Sequence, residues 1–198
     1  MAYDNKLVAA KLRRWEKYLE NYRLPKWEEI PDLGLYMDQV LTFLTQYLDY
    51  LPPELKDEQC VTAAVINNYV RRHIIPKPRQ KKYYRTHLAS LLIISSLRQS
   101  LSLTTIRLSY PSLANEEELH DFYTHYSARH QMASRHFVDQ IRVLAGGILE
   151  HDNLTDEATD DTVELIAESA IIGGLSKLLA EKLILLNGKT MNDPGMEL

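Results

Sequence analysis

Between Gln59 and Asn115 the chain carries nine cations and no carboxylate: Arg71, Arg72, Lys77, Arg79, Lys81, Lys82, Arg85, Arg98 and Arg107. The other residues hold 14 Lys and Arg against all 27 Asp and Glu, so the formal net charge of −4 divides into +9 for this stretch and −13 for the rest. Guanidinium and ammonium groups segregated in this way are the electrostatic footprint of a polyanion-binding surface. Just before the cluster, Ala64, Asn67, Asn68 and Arg71 follow the i, i+3, i+4, i+7 spacing of one helical face, with Val65, Ile66, Tyr69 and Val70 on the other. An Asn carboxamide donates and accepts at once and can match the major-groove edge of adenine. Taken alone, an Asn-Asn-Arg face is more often a solvated surface. The run of cations after it favours a binding role.

Other chemistry finds little support in the residue pattern. His120, His125, His130 and His136 lie five or six residues apart, which scatters them around a helix where adjacent metal ligands would sit at i, i+4. No metal or cofactor is expected. The sequence has no glycine-rich phosphate loop, no nucleophile elbow, no HExxH and no distinctive carboxylate pair, so no enzyme is expected either. Cys60 is the only cysteine, which excludes an internal disulfide or a cysteine-built zinc site; it reads as a buried apolar residue, and a redox role would need an exposed thiolate. The apolar runs Leu91–Ile94 and Leu183–Leu186 fall far short of the roughly 20 residues of a membrane span. The first 20 residues lack the apolar core of a signal peptide. The expected location is cytoplasmic, with no membrane partner.

The elements that must position these groups are helical. Seven glycines and eight prolines in 198 residues leave long stretches with apolar residues three and four apart. A first helix is expected from Asp4 to about Tyr22, then a breaker-rich link, LPKWEEIPDLG, with Trp27 anchored to the core. A helix from Tyr36 to about Leu48 follows, and Pro52 and Pro53 mark a loop. Thr62 is placed to cap a helix running to about His73. Pro76 and Pro78 force IIPKPRQKKYY into an extended strand-turn-strand. A core helix is expected from Thr86 to about Gln99, and Ser102 should cap a short helix through SLTTIRL. A long amphipathic helix from Glu116 to about Ile148 should break at Gly146, Gly147 and HDNLTDEATDD. The last helix is expected over Asp161–Leu186, where Gly173 and Gly174 permit close approach of another helix, and GKTMNDPGMEL reads as a frayed tail.

Ile66, Tyr69, Arg71, Ile74, Ile75 and Pro76, then Lys81, Lys82 and Tyr83, then Leu88, Leu91, Ile94, Leu97 and Ser102–Ile106 resemble the winged helix-turn-helix of MerR-like transcription regulators. Over a longer span, LPKWEEIPDLGLYMDQVLTFL, INNYVRRHIIPKP and KKYYRTHLASLLIISSLRQSLSLTTI resemble an uncharacterised bacterial family, the domain of unknown function numbered 1836. That resemblance implies a DNA-binding regulator. Asn67 stands where MerR-like regulators usually carry a backbone-contacting Arg, and His73 where they carry a Gly. The wing is short and glycine-free, and the loop LDYLPPELKDEQ is longer than the usual tight turn.

The expected architecture is therefore mainly α: a MerR-like winged helix-turn-helix with a small β wing, plus an N-terminal helix and a C-terminal helical bundle. Residues 1–35 would pack on the core, 36–112 form the winged unit, 113–187 serve packing, dimerisation or an effector, and 188–198 form a tail. The expected function is a DNA-binding transcription regulator acting as a homodimer on double-stranded DNA. Asn67, Asn68 and Arg71 would lie in or beside the major groove, with Arg72, Lys77, Arg79, Lys81, Lys82 and Arg85 among the DNA-contacting cations. The alternative is a helical interaction or ligand-sensing protein that keeps the winged fold without binding DNA.

Overall fold

The computed structural model describes residues 3–48, 61–109, 116–150 and 159–193. Cys60 and the proline-containing loop after Leu48 lie outside the described residues. By contacts the chain divides into two units, one of Met1–Arg23 with Ala128–Ser176 and one of Leu24–Ser127 with Lys177–Leu198.

In the first unit, α1 (Asn5–Asn21) is capped by Asp4, whose Oδ1 accepts the Leu7 amide at 3.1 Å. Ala9 and Leu19 are its buried residues. Trp15 sets its ring edge-on to Phe137, with centroids 5.5 Å apart. The Arg142 guanidinium bonds Glu16 and Glu20 of α1 and also Asp139. These partners come from α6 (Glu116–Leu144), which stops at Ala145 before a short α7 (Gly146–Glu150). The expected break at Gly146 and Gly147 is thus corrected. The interruption falls one residue earlier, and both glycines begin the next helix. Arg13 reaches across from α1 to donate to the Leu149 carbonyl at 2.6 Å.

The second unit is built around α4 (Arg85–Leu97), in which every residue from His87 to Ser95 is buried. An all-round apolar sequence makes a central helix and not a surface one. α2 (Met37–Leu48) packs on it through Val40, Phe43 and Leu44, and α3 (Ala63–Arg71) meets α2 and joins the same core through Ile66 and Tyr69. Thr62 Oγ1 accepts the Val65 amide at 3.2 Å, and Ser102 Oγ accepts the Thr105 amide at 3.0 Å to start α5 (Leu103–Ser109). Trp27 opens a one-turn 3-10 helix, Trp27–Glu29, and is buried, as its place in the link suggested. Beside it the Tyr123 hydroxyl donates to the Pro25 carbonyl at 2.7 Å. The last helix, α8 (Thr159–Leu185), leaves open space around both Gly173 and Gly174, so no described part of the chain uses them for close helix approach.

The expected β wing is not formed: among the described residues there is no β-strand. In its place Arg79 and Lys82 close a four-residue loop through Arg79 N–H to Lys82 O at 3.1 Å and Lys82 N–H to Arg79 O at 2.9 Å. Its two central residues, Gln80 and Lys81, have φ of 49° and 64°, the all-positive pattern of the two-residue turn that suits a hairpin's twist. Beyond that pair the ladder stops because Tyr84 turns its amide to His87 Nδ1 at 3.2 Å at the start of α4, while the Lys77 carbonyl faces His87 Nε2 at 3.4 Å. On the other side Tyr83 pairs instead with Leu35, both amides bonding at 2.8 Å, before Arg85 enters α4. Gly34 permits that approach, since a Cβ there would lie 2.9 Å from Lys82 Cβ.

Candidate nucleic-acid interface

The polar face of α3 is oriented by the burial of its opposite side. Ile66 and Tyr69 are fixed in the core, which turns Asn67 and Arg71 into solvent. Asn68 is half-buried, and its Oδ1 accepts from Arg71 Nη2 at 3.0 Å. That bond fixes the carboxamide's orientation and leaves its NH2 end to donate. The Asn-Asn-Arg face therefore offers one open carboxamide, one pre-oriented carboxamide and a guanidinium.

The helix ends in a hydrogen-bonded C-cap. His73 N–H bonds Val70 O at 3.1 Å and Ile74 N–H bonds Tyr69 O at 2.9 Å, the paired bonds of a Schellman motif. The residue that takes the left-handed conformation is His73, with φ 56°, where glycine is the common choice. Arg72, the C-cap residue, is exposed. It shares a groove with Ile74, Leu103, Thr104, Leu108 and Arg107. Arg107 was outside the sequence-derived set of contact residues although it belongs to the same carboxylate-free stretch.

Of the cations that follow, Lys77, Arg79 and Lys81 are exposed and have no ion-pair partner among the described residues. Two others are engaged inside the unit. Lys82 is half-buried and carries its ammonium 5.3 Å from the centre of the Tyr36 ring, a cation–π contact between residues far apart in the chain. Arg85 donates from Nε to the Ile30 carbonyl at 3.0 Å, lies over the Trp27 ring at 5.9 Å and approaches Asp32 at 3.9 Å. The charge available at the surface is thus concentrated in Arg71, Arg72, Lys77, Arg79 and Lys81, with Arg107 exposed across the groove from Arg72.

His87 stands beneath this segment. Its Nδ1 accepts the Tyr84 amide at 3.2 Å, which places the proton on Nε2, 3.4 Å from the Lys77 carbonyl. Burial holds its pKa below the ordinary histidine value, helped by the nearby charge of Arg79 and opposed by the two backbone hydrogen bonds. A neutral ring therefore supports the cationic turn without adding to its charge. Elsewhere the histidines have separate neighbours: His120 meets Asp121 and Trp27, His125 donates from Nδ1 to the Asp121 carbonyl, and His130 sits against Tyr22. No described group of three or more His, Cys, Asp or Glu could hold a metal ion, and no described helix is long and apolar enough to cross a membrane.

Fold and surface together define a helical protein that displays a carboxylate-free, cationic helix-and-turn from a tightly packed unit. Residues 25–127 match the family model described as Domain of unknown function (DUF1836), which takes in just over half of the chain. The chain belongs to that family. The matched segment nearly coincides with the Leu24–Ser127 part of the second unit, so the family is defined by the portion that carries the cationic surface. No curated protein and no solved structure is similar enough to match.

Proposed function

We propose that the protein is a DNA-binding transcription regulator whose helix α3 enters the major groove while the turn at Lys77–Lys81 meets phosphates. The observation that carries this reading is the surface set Arg71, Arg72, Lys77, Arg79 and Lys81, exposed beside Asn67 with no carboxylate in the surrounding stretch. In this reading α2 and α3 act as the two helices of a MerR-like helix-turn-helix. The Arg79–Lys82 turn stands in for the wing, reduced to its tip. Asn67 and Asn68 address base edges, and the cations set register on the backbone. Arg85 and Lys82 serve the scaffold that aims them. Two copies on the two halves of a site supply the DNA contact area that one such small module lacks.

Fluorescence anisotropy with duplex DNA tests this directly. Neutralising five phosphates per copy should give a log–log salt slope of about −4.5. Lys77→Glu with Lys81→Glu should weaken binding and make the slope shallower by about two. A flat salt dependence in the parent protein would sink the proposal.

A second reading is favoured by one observation, the engagement of Lys82 and Arg85 inside the fold, which narrows the basic surface. A patch of this size also suits an acidic protein partner. In that case the double Glu variant leaves whatever DNA retention exists unchanged and abolishes capture of the acidic partner.

A further inference from the structure

Helix α8 carries more exposed apolar surface than its packing against the described residues covers. Ile171, Leu175, Leu178 and Leu185 are 60%, 61%, 55% and 63% exposed. With Glu164, Glu168 and Lys182, also exposed, they form one stripe: 164, 168, 171, 175, 178, 182 and 185, alternating steps of four and three. That alternation is the spacing of a coiled-coil a/d line, with apolar residues at four of its seven positions, on a helix about 40 Å long. The helix turns its partly buried residues, Leu165, Ile172, Ala180 and Ile184, away from this stripe.

The stripe from Glu164 to Lys182 reads the same in both directions about Gly173, in spacing and in apolar centre. Laid antiparallel on a second copy with Gly173 at the two-fold axis, Ile171 faces Leu175 twice, Glu168 lies against Leu178, and Glu164 meets Lys182 at each end. Asp161 and Glu168 lie one turn to either side of that lysine's partner, so the ammonium enters an acidic end. A parallel pair would set Glu164 on Glu164, Glu168 on Glu168 and Lys182 on Lys182, three like-charge pairs facing across the seam. Shifting the antiparallel register by one heptad removes the Glu164–Lys182 pairing. Charge complementarity therefore selects a single occupant and a single orientation.

We infer that the exposed stripe of α8 is the self-association surface of this protein, formed by antiparallel pairing with α8 of a second copy centred on Gly173. This names the surface for the dimer in the reading above, yet it does not depend on DNA being the ligand. The isologous arrangement is the one expected of a two-fold dimer.

Sedimentation velocity on the full chain tests it, with circular dichroism reporting that each variant keeps its helices. The parent should sediment as a dimer and Leu175→Glu as a monomer. Glu164→Lys alone and Lys182→Glu alone should each raise the dimer dissociation constant about tenfold, because each creates two like-charge pairs. The double exchange, Glu164→Lys with Lys182→Glu, should restore association. A monomeric parent at tens of micromolar overturns the inference, as does a dimer indifferent to Leu175→Glu. Single exchanges that weaken association without rescue in the double variant overturn the antiparallel register. DNA binding, read separately by anisotropy, can fail while these outcomes hold.

Discussion

Arg85 separates charge that holds the fold from charge that faces outward. Its composition-level reading is one more phosphate contact in a run of cations, but its Nε bond to the Ile30 carbonyl and its position over Trp27 tie α4 to the link before α2. The side chain is only 23% exposed, and its ion-pair partner Asp32 is 67% exposed at 3.9 Å, so the carbonyl bond and the ring contact matter more than the ion pair. Arg85→Ala should cost about 1–2 kcal/mol in urea unfolding, through a carbonyl left without its charged donor. It should leave the salt slope of DNA binding unaltered. A slope shallower by about one, with stability intact, would instead make Arg85 a phosphate contact.

The elements show which local rules were readable in the residues and which were not. Thr62 and Ser102 are the side-chain caps that their positions announced, because an oxygen three residues before an unpaired amide is a local, one-dimensional signal; Asp4, expected inside α1, caps it by the same rule. The buried side of α3 and the central place of α4 followed from apolar spacing for the same reason. The turn after α3 and the reduced wing were hidden because ordinary residues occupy conformations that glycine or asparagine would advertise: His73, Gln80 and Lys81 all have positive φ. The engagement of Lys82 by Tyr36 and of Arg85 by Ile30 was hidden for another reason, since those contacts join residues 46 and 55 positions apart. The C-cap makes a test of the first kind. A non-glycine residue in the left-handed region is strained by about 1 kcal/mol, so His73→Gly should raise the stability of the second unit by about that amount while His73→Ala gains nothing. Equal urea midpoints for the two variants would show that imidazole contacts, and not backbone strain, dominate at this position.

At the scale of the whole molecule, each unit holds a histidine that resists protonation, His87 buried and His130 half-buried. His87 lies under the cationic turn and His130 against Tyr22, and burial is the first cause that lowers both pKa values. A folded-state pKa below the unfolded value of about 6.5 means that, beneath that pH, the unfolded chain binds protons which the folded chain excludes. The stability contribution is therefore complete above about pH 6.5 and falls as the solution is acidified through that value. His87 is the sharper probe because its two ring nitrogens are committed, Nδ1 as acceptor from Tyr84 and Nε2 toward Lys77. Protonation would turn the Nδ1 acceptor into a donor facing an N–H, beside Arg79. Its share of the slope is at most about 1.4 kcal/mol per pH unit. His87→Gln keeps an acceptor for the Tyr84 amide but cannot titrate, so urea midpoints measured from pH 8 to pH 5 should fall less steeply for the variant than for the parent. The residual slope belongs to His130 and should flatten when His130→Phe is added. Parallel midpoint curves for the parent and His87→Gln would show that the ring accepts its proton as readily in the folded state as in the unfolded one.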